Sequence, residues 1–265
     1  MLSEYLQTFD IYSWQIITIL IFAGFLTGVV NTFAGSGTII SYSVFMMLGL
    51  PISTANGTVR MGVILQTLAA ALNFHRNKAL DVKKGFLLGI PITIGSIIGA
   101  EIAVSIDKDV FEKVIAIVLI LMMFFLIKNP DKWIKEKKEI SEKNPKKWHY
   151  ILYFFIGIYG GFIHMGVGIF LLAALVLVSG YDLIKANALK IFTVFLYSPF
   201  VLVVFMLNGH IDYAMGIFSS IGNFAAGLIA SHFAVKQGAG FVRWFLIVII
   251  ILFSAHLLGF FDLFF

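Results

Sequence analysis

Long apolar runs recur along the whole chain. They lie at about 14–34, 36–50, 57–75, 84–105 and 110–127, then again at 149–166, 168–180, 187–207, 213–234 and 243–261. A helix that crosses a ~30 Å hydrocarbon core needs about 20 mainly apolar residues, and most of these runs have that length. The second run of each half is shorter and follows a pair of glycines, Gly35 and Gly37 in the first half and Gly166 and Gly168 in the second. At ~1.5 Å per residue such a run falls short of a crossing. Each half therefore predicts a broken or re-entrant helical hairpin plus three spanning helices. The first run does not read as a removable signal peptide, because Glu4 and Asp10 stand where a basic leader is required.

A shift of 131 residues superimposes the two halves at unusual positions. Gly35 and Gly37 fall on Gly166 and Gly168, Ala55-Asn56 on Ala186-Asn187, Asn77 and Asp81 on Asn208 and Asp212, and Gly85 on Gly216. Coincident Leu or Ile would carry no weight in so apolar a chain, whereas coincident Asn, Asp and Gly do. The organisation predicted is a membrane repeat at 1–128, a charged linker at 129–148 and a second repeat at 149–265.

Composition and charge refine this picture. Apolar residues make up 60%, charged residues 12%, and the mean hydropathy is +0.98, which places the chain outside the soluble class and in lipid. Cysteine is absent, so disulfides and thiolate metal sites are excluded. The net charge of +5 sits in loops beside spans and reads as a topology signal rather than a nucleic-acid footprint. From Lys128 to His149 there are eight lysines against four acids, so that linker is expected in the cytoplasm. Arg76, Lys78, Lys83 and Lys84 mark another cytoplasmic loop, while the equivalent stretch with His210 and Asp212 lacks basic residues and is expected outside. These assignments agree when the halves are inverted and both termini lie outside. The fold class predicted is an all-α integral membrane protein of two inverted repeats, a recurrent plan of secondary transporters.

The motifs Ala55-Asn56-Gly57-Thr58-Val59-Arg60 with Gln66, Tyr159-Gly160-Gly161-Phe162-Ile163-His164-Met165-Gly166-Val167-Gly168 and Lys185-Ala186-Asn187-Ala188-Leu189-Lys190 resemble the sulfite exporter TauE/SafE family of bacterial membrane proteins. The resemblance covers nearly the whole chain outside the terminus and linker. It implies transport of sulfite, organosulfonates or related sulfur anions across the bacterial inner membrane.

The candidate substrate-binding residues follow from anion chemistry. The short helices after Gly35-Ser36-Gly37-Thr38 and Gly166-Val167-Gly168 would aim free N–H groups and a positive dipole end into the membrane; alternatively the glycines only permit close helix packing. Arg60 and Lys190 would supply charge to an anion, or snorkel to a membrane edge. Asn56 and Asn187 would donate to it, or cap the helices that follow. Ser36, Thr38, Thr58 and Gln66 are further donors, and His164 would carry a coupling proton or make a neutral hydrogen bond between helices. No metal or cofactor is expected. No catalytic constellation is present in the sequence, so an enzyme is disfavoured, as is a scaffold. An anion channel and a transporter of a non-sulfur organic anion are the alternatives. The expected partners are a small anion and the bilayer, not nucleic acid, and a homodimer is left open.

Overall fold

The computed structural model describes residues 6–106 and 147–257. The predicted span at 110–127, most of the linker and the end of the last run lie outside the described residues. Within them the protein is helical, with no strand: α1 (Trp14–Phe33), α2 (Thr38–Met47), α3 (Ile52–Arg76), α4 (Val82–Ser105), α5 (Lys147–Phe162), α6 (Val167–Ala173, prolonged by a wider turn at Ala174–Val178), α7 (Leu183–Leu207) and α8 (Tyr213–Leu257), which breaks at Gly238. Four stretches, namely α1, α4, α7 and α8 to Val242, are long and apolar enough to cross a membrane. Helix α3 has the length, 25 residues, but carries Asn56, Arg60, Gln66 and Thr67 buried along it.

Backbone features recur at the 131-residue spacing. Both α3 and α7 have 25 residues, and their first residues are related by that spacing, as are those of α4 and α8. Asp81 accepts from the Lys84 N–H at the start of α4, and Asp212 from the Met215 N–H at the start of α8. The left-handed positions Gly35, Gly49 and Lys78 correspond to Gly166, Gly180 and Gly209. Side-chain caps of this kind satisfy N–H groups that a helix start leaves free.

Helix directions follow from which residues meet. Along α3 and α8, Gly57 lies against His210, Gly62 against Asn223, and Asn73 donates to Ser231. Partner numbers rise together, so the two run parallel. The same holds for α1 and α8 (Gly24 on Ser219, Gly28 on Ala226), for α4 and α5 (Ile92 on Gly157, Ser96 on Gly161), and for α4 and α7 (Gly85 on Phe192, Gly89 on Leu196). Helices α1, α3 and α8 thus share one direction, and α4, α5 and α7 the other. Glycine-lined seams let these backbones approach, which is how helices pack where lipid supplies no hydrophobic drive between them.

Helices α1 and α2 form a hairpin. Its tip lies halfway along α3, where Asn31 donates to Gln66 at 3.1 Å, and its far end returns to the entry side, where Gln7 donates to the Met47 carbonyl at 3.1 Å. Helices α3 and α7 begin at Ile52 and Leu183, earlier than the apolar runs at 57 and 187 suggest, because polar residues fill their first turns. The Asn56 and Asn187 caps are therefore corrected: Pro51 and Asp182 stand at those helix starts, with Asp182 accepting from the Ile184 and Lys185 N–H groups. Both asparagines lie inside their helices.

Candidate functional site

The two hairpin tips meet in the middle of the bundle. The Gly168 N–H donates to the Gly35 carbonyl at 3.2 Å, and a Cβ on either glycine would collide with the other's Cα. Glycine at both positions allows this contact, and Gly35 also has φ 80°, a conformation that costs a side-chain-bearing residue about 1–2 kcal/mol. Beside the contact is a cavity of about 10 Å³ lined by Asn31, Gly35, Thr67, His164, Gly168, Lys190 and apolar residues of α6 and α7. That is about the room of one water. Nothing larger than a water fits there.

A helix that ends inside the bundle leaves its last carbonyls without partners and buries the negative end of its dipole. The structure answers both demands with cations from the opposite half. Arg60 of α3 donates to the Gly160 and Gly161 carbonyls of α5 at 3.1 and 2.8 Å, and Asn56 donates to the Phe162 carbonyl at 2.8 Å. Lys190 of α7 donates to the Asn31 and Thr32 carbonyls of α1 at 3.2 and 3.0 Å. Arg60 is 0% exposed and Lys190 1%, so neither snorkels. No carboxylate among the described residues pairs with either. The Arg60 guanidinium also lies over the Phe205 ring, 5.1 Å from its centroid, a favourable placement for a cation over an aromatic face.

The asparagines are equivalent in sequence but not in bonding. The Asn56 oxygen accepts from the Tyr42 hydroxyl and from Arg60, so its amide is engaged at both ends. Asn187 is fully buried, yet neither its nitrogen nor its oxygen has a partner. The carbonyl it would use by analogy, Asn31, already holds the Lys190 ammonium. We expect Asn56→Ala to destabilise the protein by about 1–3 kcal/mol, because it orphans buried partners. Asn187→Ala should leave the melting temperature within a degree or two while lowering transport. Equal destabilisation by both would show that the asymmetry is not real.

The remaining sequence candidates distribute as follows. Gln66 bridges Asn31 and Thr32 at the α1 terminus, donating to Thr32 at 2.9 Å. The Nδ1 of His164 lies 3.1 Å from the Tyr197 hydroxyl, and Tyr197 occupies the position equivalent to Gln66. Ser36, Gly37 and Thr38 are buried at the first tip, with the Thr38 hydroxyl unpartnered. Gly166 supplies the left-handed entry to α6. Thr58 stands apart, accepting from the Asp212 N–H at 2.8 Å where α8 begins. Sequence reasoning missed Asn31, Tyr42, Thr67 and Tyr197. For Asn31 a signal existed, the one asparagine in the apolar run 14–34; for Tyr197 it was the repeat register with Gln66.

The family model for "Sulfite exporter TauE/SafE" matches residues 20–257, a stretch that contains both hairpin tips and every residue of this centre. The chain belongs to the TauE/SafE family. Among curated relatives of this TauE/SafE protein are the "Probable membrane transporter protein ORF9" of Sinorhizobium sp, 23% identical over 247 residues that span 93% of this chain and 94% of that one, and a "Probable membrane transporter protein" of Haemophilus influenzae, 23% identical over 248 residues covering 92% and 94%. The "Probable membrane transporter protein YfcA" of Escherichia coli strain K12 is 23% identical over 246 residues, covering 91% and 88%. No solved structure matches the chain. Family and relatives make this a multi-pass membrane transporter rather than an enzyme.

Proposed function

We propose that the protein is a secondary transporter of a small anion, with sulfite, organosulfonates and related sulfur oxyanions as its substrate class, working by alternating access in the bacterial inner membrane. The observation that carries the reading is the closed junction of the two hairpin tips, beside a cavity too small for an oxyanion and lined by Lys190, with Arg60 also buried in the bundle and neither cation paired with a carboxylate among the described residues. Helix-end carbonyls meet part of each charge, and in a medium of low dielectric the remainder attracts an anion strongly. The half-helices α2 and α6 add positive dipole ends at the same depth. In the closed form the Gly168 N–H is occupied by the Gly35 carbonyl, so that donor becomes available to substrate only on opening. A water-sized cavity supports a gated carrier over an open channel.

Two inverted repeats supply the alternation. Each of the equivalent pairs α1/α5, α3/α7 and α4/α8 has one member in either direction set, which supports this arrangement. Loop charges orient it, with Lys78 and the linker in the cytoplasm and Gly209 and both termini outside. The protein has no cysteine, so single cysteines introduced at 78 and 209 test the inversion without background. We expect an impermeant thiol reagent applied from one side to label only one of them; labelling of both from the same side ends the inverted model. For the function itself, proteoliposomes loaded with sulfite should take up labelled sulfite by saturable counterflow. An ohmic current without counterflow would assign a channel instead. Counterflow with carboxylates and none with sulfur oxyanions would replace the substrate class.

A further inference from the structure

A second polar cavity, of about 150 Å³, lies away from the hairpin junction where α4 and α7 begin. Lys78, Asp81, Lys84, Tyr181, Lys185 and Leu189 line it. Lys185, Leu189 and Phe192 lie on the side of α7 that faces α4, where Phe192 packs on Gly85 and stacks edge-on with Phe86 at 5.3 Å. Asn187 and Lys190 lie on the other side, with Lys190 reaching α1. The cavity is therefore separate from the central site.

Its charge balance is positive. Lys84 lies 3.7 Å from Asp81 and Lys185 3.6 Å from Asp182, which leaves Lys78 in excess among the described residues. Each of those carboxylates also accepts backbone N–H groups. The N-termini of two long helices add further partial positive charge. Lys84 is also held over the Tyr181 ring, 5.4 Å from its centroid. Lys78 has φ 57°, the one left-handed residue other than glycine among the described residues, and its repeat equivalent is Gly209. A lysine is thus kept where glycine suits the backbone better. Directly below the cavity, α4 turns Phe86, Leu87 and Ile90 outward, each about half exposed or more. That apolar stripe is a surface for acyl chains.

We propose that this cavity binds the phosphate headgroup of an anionic phospholipid, whose chains lie along the outward face of α4. Basic pockets between spanning helices hold such headgroups, with each lysine near the surface contributing about 1 kcal/mol. Only the leaflet, the cytoplasmic one, rests on the orientation proposed above; binding in detergent does not.

Native mass spectrometry of the purified full chain with phosphatidylglycerol, and with phosphatidylcholine of the same acyl chains, tests the site. Phosphatidylglycerol adducts should form at roughly tenfold lower lipid concentration than phosphatidylcholine adducts. Lys78→Gly and Lys185→Gln should each remove most of that preference, and Lys185→Arg should keep it. Lys78→Gly relieves the backbone and stays folded, so the test survives if Lys185→Gln does not fold. Millimolar inorganic phosphate should leave the adducts unchanged. Equal binding of the two lipids overturns the proposal, as does a preference that persists in Lys78→Gly. Displacement of the lipid by phosphate would assign the cavity to a free anion and equally overturn it. Sulfite counterflow measured on the same variants reports separately on the central site.

Discussion

Replacing Arg60 with leucine should cost the protein its folded state before it costs it a substrate. The guanidinium donates to two carbonyls at the end of α5, and a buried acceptor left without a donor costs about 1–3 kcal/mol. Some of that loss is offset because the substitution also removes the expense of burying a charge. The net effect still leaves α5 with a buried, unpartnered negative end, and the fraction of folded protein recovered from membranes should fall severalfold. Arg60→Lys should rescue only in part, because one ammonium does not reproduce the two-pronged geometry of the guanidinium. Lys190→Leu should behave like Arg60→Leu, since it strips the Asn31 and Thr32 carbonyls of their donor. Melting temperature in detergent and transport, measured side by side, decide the matter. If Arg60→Leu folds and melts like the parent and only transport falls, the guanidinium is a substrate ligand and not a helix-end partner.

Alanine at Gly35 or Gly168 should strongly destabilise the protein. The added methyl meets the Cα of the opposite tip in either case. Overpacking in a tight core costs about 1–3 kcal/mol, and at Gly35 the left-handed backbone adds about 1–2 kcal/mol. Gly209 provides the control. It has φ 72°, but nothing lies within 4 Å of its added Cβ. Gly209→Ala should therefore carry the conformational cost alone. Thermal unfolding of the three variants separates the two contributions, and Gly35→Ala no worse than Gly209→Ala would mean that the tips do not touch. Transport loss in the tip variants is then a consequence of failed packing, so it says nothing by itself about where the anion binds.

The sequence displayed the repeat well because Asn, Asp and Gly are scarce among apolar spans, and their coincidence at one spacing stands out. The short helices α2 and α6 were legible for the same kind of reason, because each follows a glycine pair and covers only a short apolar run. What Arg60 and Lys190 do was not legible. Their partners are backbone carbonyls more than 90 residues away along the chain, and a carbonyl has no letter in the sequence. The absence of a nearby acid pointed to a missing negative charge, and the end of a helix provides a large part of it. Asn56 and Asn187 were read as a matched pair on equal terms, because sequence identity hides the fact that Tyr42 backs only one of them; the equivalent of Tyr42 is Ala173.

The reciprocal bonds between halves have a consequence for biogenesis. The terminal carbonyls of α1 wait for Lys190, 158 residues later in the chain. At a synthesis rate of about 5–20 residues per second, the first hairpin spends roughly 8–30 s in the bilayer with its inner end unsatisfied. During that interval the nascent chain presents a polar flaw at membrane depth that only its own second half can close. Products truncated before residue 190 would display the same flaw permanently.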